Sequence, residues 1–151
     1  MLESQQQAIK EVITEILRHM GIVCEIESRT SEEIPVFNVK TEDSGILIGS
    51  RGVNLSSLQY MARLLVFKKL GESLHFIVDV EGYKLGREEF LRELARQAAV
   101  RVRETKESLL LKPMLAYERR VIHSEVSKLP DIITESVGEE PERRILIKLK
   151  S

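Results

Sequence analysis

The 151-residue chain has no tryptophan, only four prolines and a single cysteine, and the last of these shortages removes whole classes of protein. With Cys24 alone, neither an intrachain disulfide nor a multi-cysteine zinc site can form, which fits a reducing compartment. No window approaches the roughly 18 apolar residues of a membrane-spanning helix. The N-terminal MLESQQQAIKEV lacks the basic-then-apolar order of a signal peptide, so a cytoplasmic protein with no membrane insertion is expected. His19, His75 and His123 show no metal-ligand spacing, and no serine or cysteine nucleophile stands at a recognisable distance from His123. No catalytic residue, metal or cofactor is therefore expected. A dominant charge is missing too. Residues 1–80 hold 8 Lys and Arg against 11 Asp and Glu, and residues 81–151 hold 15 against 13. Any nucleic acid would have to be held by local patches, because neither half is a polycation.

What is present is a globular composition, 42% hydrophobic and 31% charged, in a length that suits one ordinary domain or two small ones. Ile9, Val12, Ile13 and Ile16 give residues 4–19 the stripe of an amphipathic helix, and Gly21 stops it. IVCEIESR and IPVFNVK read as two strands joined by a polar turn over residues 30–33. Leu55, Leu58, Ala62 and Leu65 predict a helix over residues 54–70, with Asn54, Ser56 and Ser57 as candidate caps, and SLHFIVDV predicts a strand. Gly82 and Gly86 mark the best boundary, which divides the chain into domains 1–82 and 83–151. The second domain opens on a long helix over residues 87–107, followed by a short strand before Pro113, a helix over 117–128, and the strands DIITESV and RRILIKLK. Ile145, Ile147 and Leu149 give the last strand a single buried face.

Two constellations stand out. In ILIGSRGVNLSS, Gly49 and Gly52 bracket Ser50 and Arg51 just ahead of a helix. Absent Cβ atoms allow a foreign backbone to approach, and a hydroxyl, a guanidinium and helical N–H groups can hold phosphates. The same spacing also serves a plain turn between helices. It is not a Walker A loop, whose Gly-x-x-x-x-Gly-Lys spacing is missing. In YERRVIH, Arg119 and His123 stand four apart on one helix face, placed by helical projection along the edge of the arc formed by Leu115, Ile122, Val126 and Leu129. Such a pair can grip phosphate and stack on a base, or it can be a surface pair with no ligand. Arg92, Arg96 and Arg103 share a helix face but are interleaved with Glu88, Glu89 and Glu93, which favours a solvated, ion-paired face. Of Arg143 and Arg144 only one can join Arg119 and His123, and Arg143 is the choice.

The order helix, strand, strand, Gly-x-x-Gly, helix, strand resembles a type II KH domain (helix-strand-strand-helix-helix-strand), whose loop clamps about four nucleotides of single-stranded backbone. The Arg-x-x-x-His segment resembles a small α/β domain that binds single-stranded nucleic acid. Together with PMLAYERRVIH and TESVGEEPERRILI, the tandem is similar over essentially the whole chain to the bacterial Jag, or SpoIIIJ-associated, family. The resemblance implies an α+β protein of two small domains that binds single-stranded RNA, with single-stranded DNA left open as an alternative ligand and a small KH protein or a second copy as a candidate further partner. It implies a role in post-transcriptional control linked to cell elongation and cell-wall synthesis. The residues expected to contact RNA are Ile48, Gly49, Ser50, Arg51, Gly52, Asn54, Arg119, His123 and Arg143, of which the resemblance maps Gly49, Ser50, Arg51 and Gly52 onto the clamp, with Ile46, Val53 and Leu55 as further groove candidates. The alternative is a protein-interaction scaffold that dimerises through the KH domain. Many relatives carry two basic residues in the glycine loop and Asn-Pro before Tyr-Glu-Arg-Arg, where this chain has Ser50–Arg51 and Leu115–Ala116. The family often has an additional N-terminal domain, so a short or truncated member is expected.

Overall fold

The computed structural model describes all 151 residues and divides into two compact units, Met1–Lys84 and Leu85–Ser151. The first runs α1 (Glu3–His19), β1 (Glu25–Ser31), β2 (Ile34–Lys40), α2 (Ser44–Ile48), a 3-10 turn (Ser50–Gly52), α3 (Val53–Leu70) and β3 (Ile77–Val80). This is the helix-strand-strand-helix-helix-strand order. β2 lies in the middle of its sheet, antiparallel to β1 and parallel to β3, as the long helical crossover between β2 and β3 requires. Ile9, Ile13 and Leu17 of α1 and Leu55, Leu58, Ala62 and Val66 of α3 pack on the inward set Phe37, Val39, Val78 and Val80. Phe37 meets Phe76 edge to face at 5.9 Å between ring centres. Each large side chain buried this way contributes about 1.5–3 kcal/mol. The helical stripe of α3 is shifted from the one expected: Val66 enters the core, whereas Leu65 lies at the surface.

The second unit is built from α4 (Tyr83–Thr105) from Leu85 onward, β4 (Leu109–Leu110), α5 (Ala116–Val126), β5 (Ile132–Val137) and β6 (Arg144–Leu149). β6 is central, antiparallel to both neighbours, with Ile147 opposite Leu109 on one side and Thr134 on the other. Leu91, Ala95, Ala98, Ala99 and Val102 of α4 meet Ile122 and Val126 of α5 and Ile145 and Ile147 of β6, the buried face expected for the last strand. The fold is thus α+β, in two small layered bodies.

The long helix starts four residues earlier than its apolar stripe implied, and Gly86 lies inside it. The buried Asp79 carboxylate explains the early start: its Oδ1 accepts from the backbone N–H groups of Val80 and Lys84, satisfying donors that a helix N-terminus leaves open. Beside it, the Lys84 ammonium donates to Gln59 Oε1 at 3.2 Å. Burial pushes this lysine down to about 8, against the opposing pull of Asp79.

Candidate nucleic-acid interface

The loop between α2 and α3 is a tight corner in which Gly49, Arg51 and Gly52 all have positive φ. Gly49, at φ 70° and ψ −175°, occupies a region essentially closed to side-chain-bearing residues, and Gly52 is left-handed at φ 77° and ψ 17°. The space that their Cβ atoms would fill is taken by the protein itself. A Cβ on Gly49 would lie 2.6 Å from Asn54 Cγ, and one on Gly52 would lie 2.9 Å from Tyr83 Cε1. Both glycines thus allow the turn and the packing of Asn54 and Tyr83, a reason for their presence that does not depend on a nucleotide strand. Asn54 is not a helix cap either. Gly52 holds the N-cap position, and Asn54 reaches back to donate from Nδ2 to the Ile46 carbonyl at 2.8 Å. That bond ties α2 to α3 and fixes the loop between them.

What the corner presents outward is Ser50 and Arg51, both exposed. Ile46, 63% exposed, and Val53 are apolar flanks at the surface, and Ile48 is half-buried against the core. Leu55 is 1% exposed and belongs to the core, which removes it from the groove candidates. A hydroxyl and a guanidinium on a rigid turn between apolar flanks can hold a phosphate while bases rest alongside.

In the second unit, the expectation that Arg119 flanks the core is overturned. It is buried at 8% exposure, donating from Nη1 to the Met114 carbonyl at 2.7 Å, with Nη2 2.9 Å from the Glu140 carboxylate. Helical projection placed it at the edge correctly in angle, but could not show that the β5–β6 turn closes over it. His123 is half-buried. Its Nδ1 shares a hydrogen bond with Thr134 Oγ1, and its Nε2 lies 3.0 Å from Ser136 Oγ. Burial, then the nearby Arg119 charge, lowers its pKa below the ordinary histidine value. Arg143 precedes β6 and donates from Nη1 to the Gly138 carbonyl at 2.7 Å. All three residues thus converge on the β5–β6 hairpin and brace it, spending much of their hydrogen-bonding capacity inside the domain.

The arginines of α4 are ion-paired, within the helix as expected for Arg92 with Glu88 at 3.2 Å and Arg96 with Glu93, but to other elements for Arg96 with Glu125 and Arg103 with Asp131. Sequence reasoning missed Glu118, which is fully buried and accepts from Arg87 Nε at 2.7 Å and from the Leu115 N–H at 3.2 Å. A carboxylate three residues after a helix entry was the available signal. It also missed a groove of about 320 Å³ between α4 and α5, lined by Arg92, Tyr117 and Arg120. Tyr117 and Arg120, three apart in α5, were the legible sign of a shared outward face.

Residues 6–81 match the KH domain of the KhpA/KhpB family, and residues 89–149 match the domain family named for its Arg-x-x-x-His motif, which makes this a two-domain protein of the nucleic-acid-binding class. RNA-binding protein KhpB of Clostridium symbiosum is 38% identical over 151 aligned positions, covering 98% of this chain and 68% of that relative. RNA-binding protein KhpB of Bacillus subtilis is 33% identical over 128 positions, covering 83% and 62%, and that of Lactiplantibacillus plantarum is 24% identical over 148, covering 98% and 46%. The chain belongs to the KhpB, or Jag, family. It spans from about half to two thirds of the length of these relatives.

Proposed function

We propose that this chain binds single-stranded RNA in the bacterial cytoplasm without catalysing a reaction on it. The observation that carries this is the α2–α3 corner, where Ser50 and Arg51 stand exposed on a turn fixed by two positive-φ glycines and the Asn54–Ile46 bond. The names of the relatives support the choice of RNA. In this reading Ser50 and Arg51 contact phosphate, while Gly49, Gly52 and Asn54 position them and Ile46, Ile48 and Val53 meet bases. Arg119, His123 and Arg143 organise the second domain around its β5–β6 hairpin. The cellular role we attach to this chain, on family resemblance, is post-transcriptional control linked to cell elongation and cell-wall synthesis.

The test is fluorescence anisotropy with a labelled single-stranded RNA across a salt series. Wild-type affinity falls as salt rises, and the double variant Ser50→Glu, Arg51→Glu loses about tenfold or more in affinity and flattens the salt slope. Equal affinity and slope in the two proteins would refute the clamp.

A second reading is favoured by α3. Opposite its buried face, Val53, Tyr60, Leu64 and Phe67 form an exposed apolar stripe, with Tyr60 65% and Phe67 54% exposed. Such a stripe fits a small KH protein or a second copy of this chain. Sedimentation of wild type against Leu64→Glu distinguishes the two readings: a scaffold dissociates while RNA affinity is untouched.

A further inference from the structure

The proposed RNA binding leaves a gap in the second domain, because the side chains of Arg119 and His123 are largely engaged within it. Arg119 is held by the Met114 carbonyl and Glu140, and both ring nitrogens of His123 face hydroxyls of β5. Further contacts with a strand would come from residues beside them. The two aromatic residues after Lys84 are Phe90 and Tyr117, and neither belongs to the second core. Phe90 has the Arg87 guanidinium 5.2 Å over its ring, whereas Tyr117 lies at a groove.

Tyr117 is half-buried in the wall of the groove between α4 and α5, where Arg92, Arg120, Val121 and Ser124 share the lining with Glu88. Arg120 is exposed. Arg92 is paired with Glu88 at 3.2 Å on the surface, an arrangement worth little and easily exchanged for a phosphate. One aromatic ring, two guanidinium groups and a hydroxyl in a narrow cleft are complementary to a nucleotide of a single strand: the ring stacks on the base, and the cations take the flanking phosphates.

We infer that the α4–α5 groove is a second contact site for single-stranded RNA, with Tyr117 as the stacking platform and Arg120 as the phosphate contact. This rests on the RNA-binding reading proposed above. It adds a site on a face of α5 other than the one that carries Arg119 and His123.

The experiment uses the whole chain with a fluorescein-labelled RNA dodecamer and a matching oligomer carrying abasic riboses in place of nucleotides. Tyr117→Leu should weaken binding to the base-bearing RNA by about tenfold, have less than about twofold effect on the abasic strand, and be rescued by Tyr117→Phe. Arg120→Glu should weaken both and reduce the salt slope by about 0.7 or more. Because Arg120 is exposed, its variant keeps the test alive if Tyr117→Leu does not fold. Wild-type binding with Arg120→Glu unchanged overturns the groove site, as does an equal loss on both oligomers in a folded Tyr117→Leu. Failure of the wild type to bind any RNA overturns the RNA-binding reading itself.

Discussion

Gly49 and Gly52 look equivalent in the sequence, yet the backbone asks different things of them. At Gly49 the conformation itself excludes a side chain, while at Gly52 the left-handed backbone is a smaller strain and the Tyr83 ring is a second obstacle. Gly49→Ala should lower stability by about 1–3 kcal/mol through strain. Gly52→Ala should cost a similar amount, and the part due to the Tyr83 contact should disappear when the same change is made in a Tyr83→Ala background, which urea unfolding of both single variants and the double variant would show. His123 gives a pH prediction. The unfolded imidazole takes up a proton near 6.5, whereas the folded one resists until lower pH. Between those points the unfolded state holds more protons, so stability falls as pH drops through the window. His123→Gln should flatten that part of the pH–stability profile. At this scale, spacing showed which residues belonged to the motifs but not what they touch. The contacts of Arg119 and Gly52 come from Glu140 and Tyr83, 21 and 31 positions away in the chain, where no local pattern reaches.

At the scale of the element, alternation and helical periodicity were enough to place most strands and helices. They work because one buried face repeats every second residue in a strand and every three to four in a helix. α2 was not legible this way, because five residues make little more than one turn. The start of α4 was not legible either, since it is set by the Asp79 carboxylate rather than by an apolar stripe. The β1–β2 hairpin shows an element at odds with its residues. Ser31 pairs with Ile34, leaving a two-residue loop in which Glu32 and Glu33 both have positive φ, at 50° and 69°. That turn matches the twist of the strands and prefers Asn-Gly. Glu32→Asn with Glu33→Gly should therefore raise stability by about 0.5–1 kcal/mol, read from the urea midpoint and from slower amide exchange in β1.

On the scale of the whole molecule, a net charge of −1 removes long-range attraction as a source of RNA affinity. Affinity must then come from short-range contacts at particular places, and the two proposed ones, the Ser50–Arg51 corner and the Tyr117–Arg120 groove, lie in different units of one chain. Each contact alone is weak. Once one site has captured a strand, the other meets the same strand at an effective concentration set by the linking nucleotides, a gain of about 10² to 10⁴ when the span is long enough. Affinity for single-stranded RNA should therefore rise in a step with oligomer length rather than gradually. A strand of about four nucleotides fills one clamp, and the step comes where a longer strand first reaches both. The double variant Ser50→Glu, Arg51→Glu and the single variant Arg120→Glu should each abolish the step while leaving weak binding to the shortest strands through the intact site. A length series titrated against all three proteins measures this directly, and a step that survives either variant would mean that the strand is held by one unit alone.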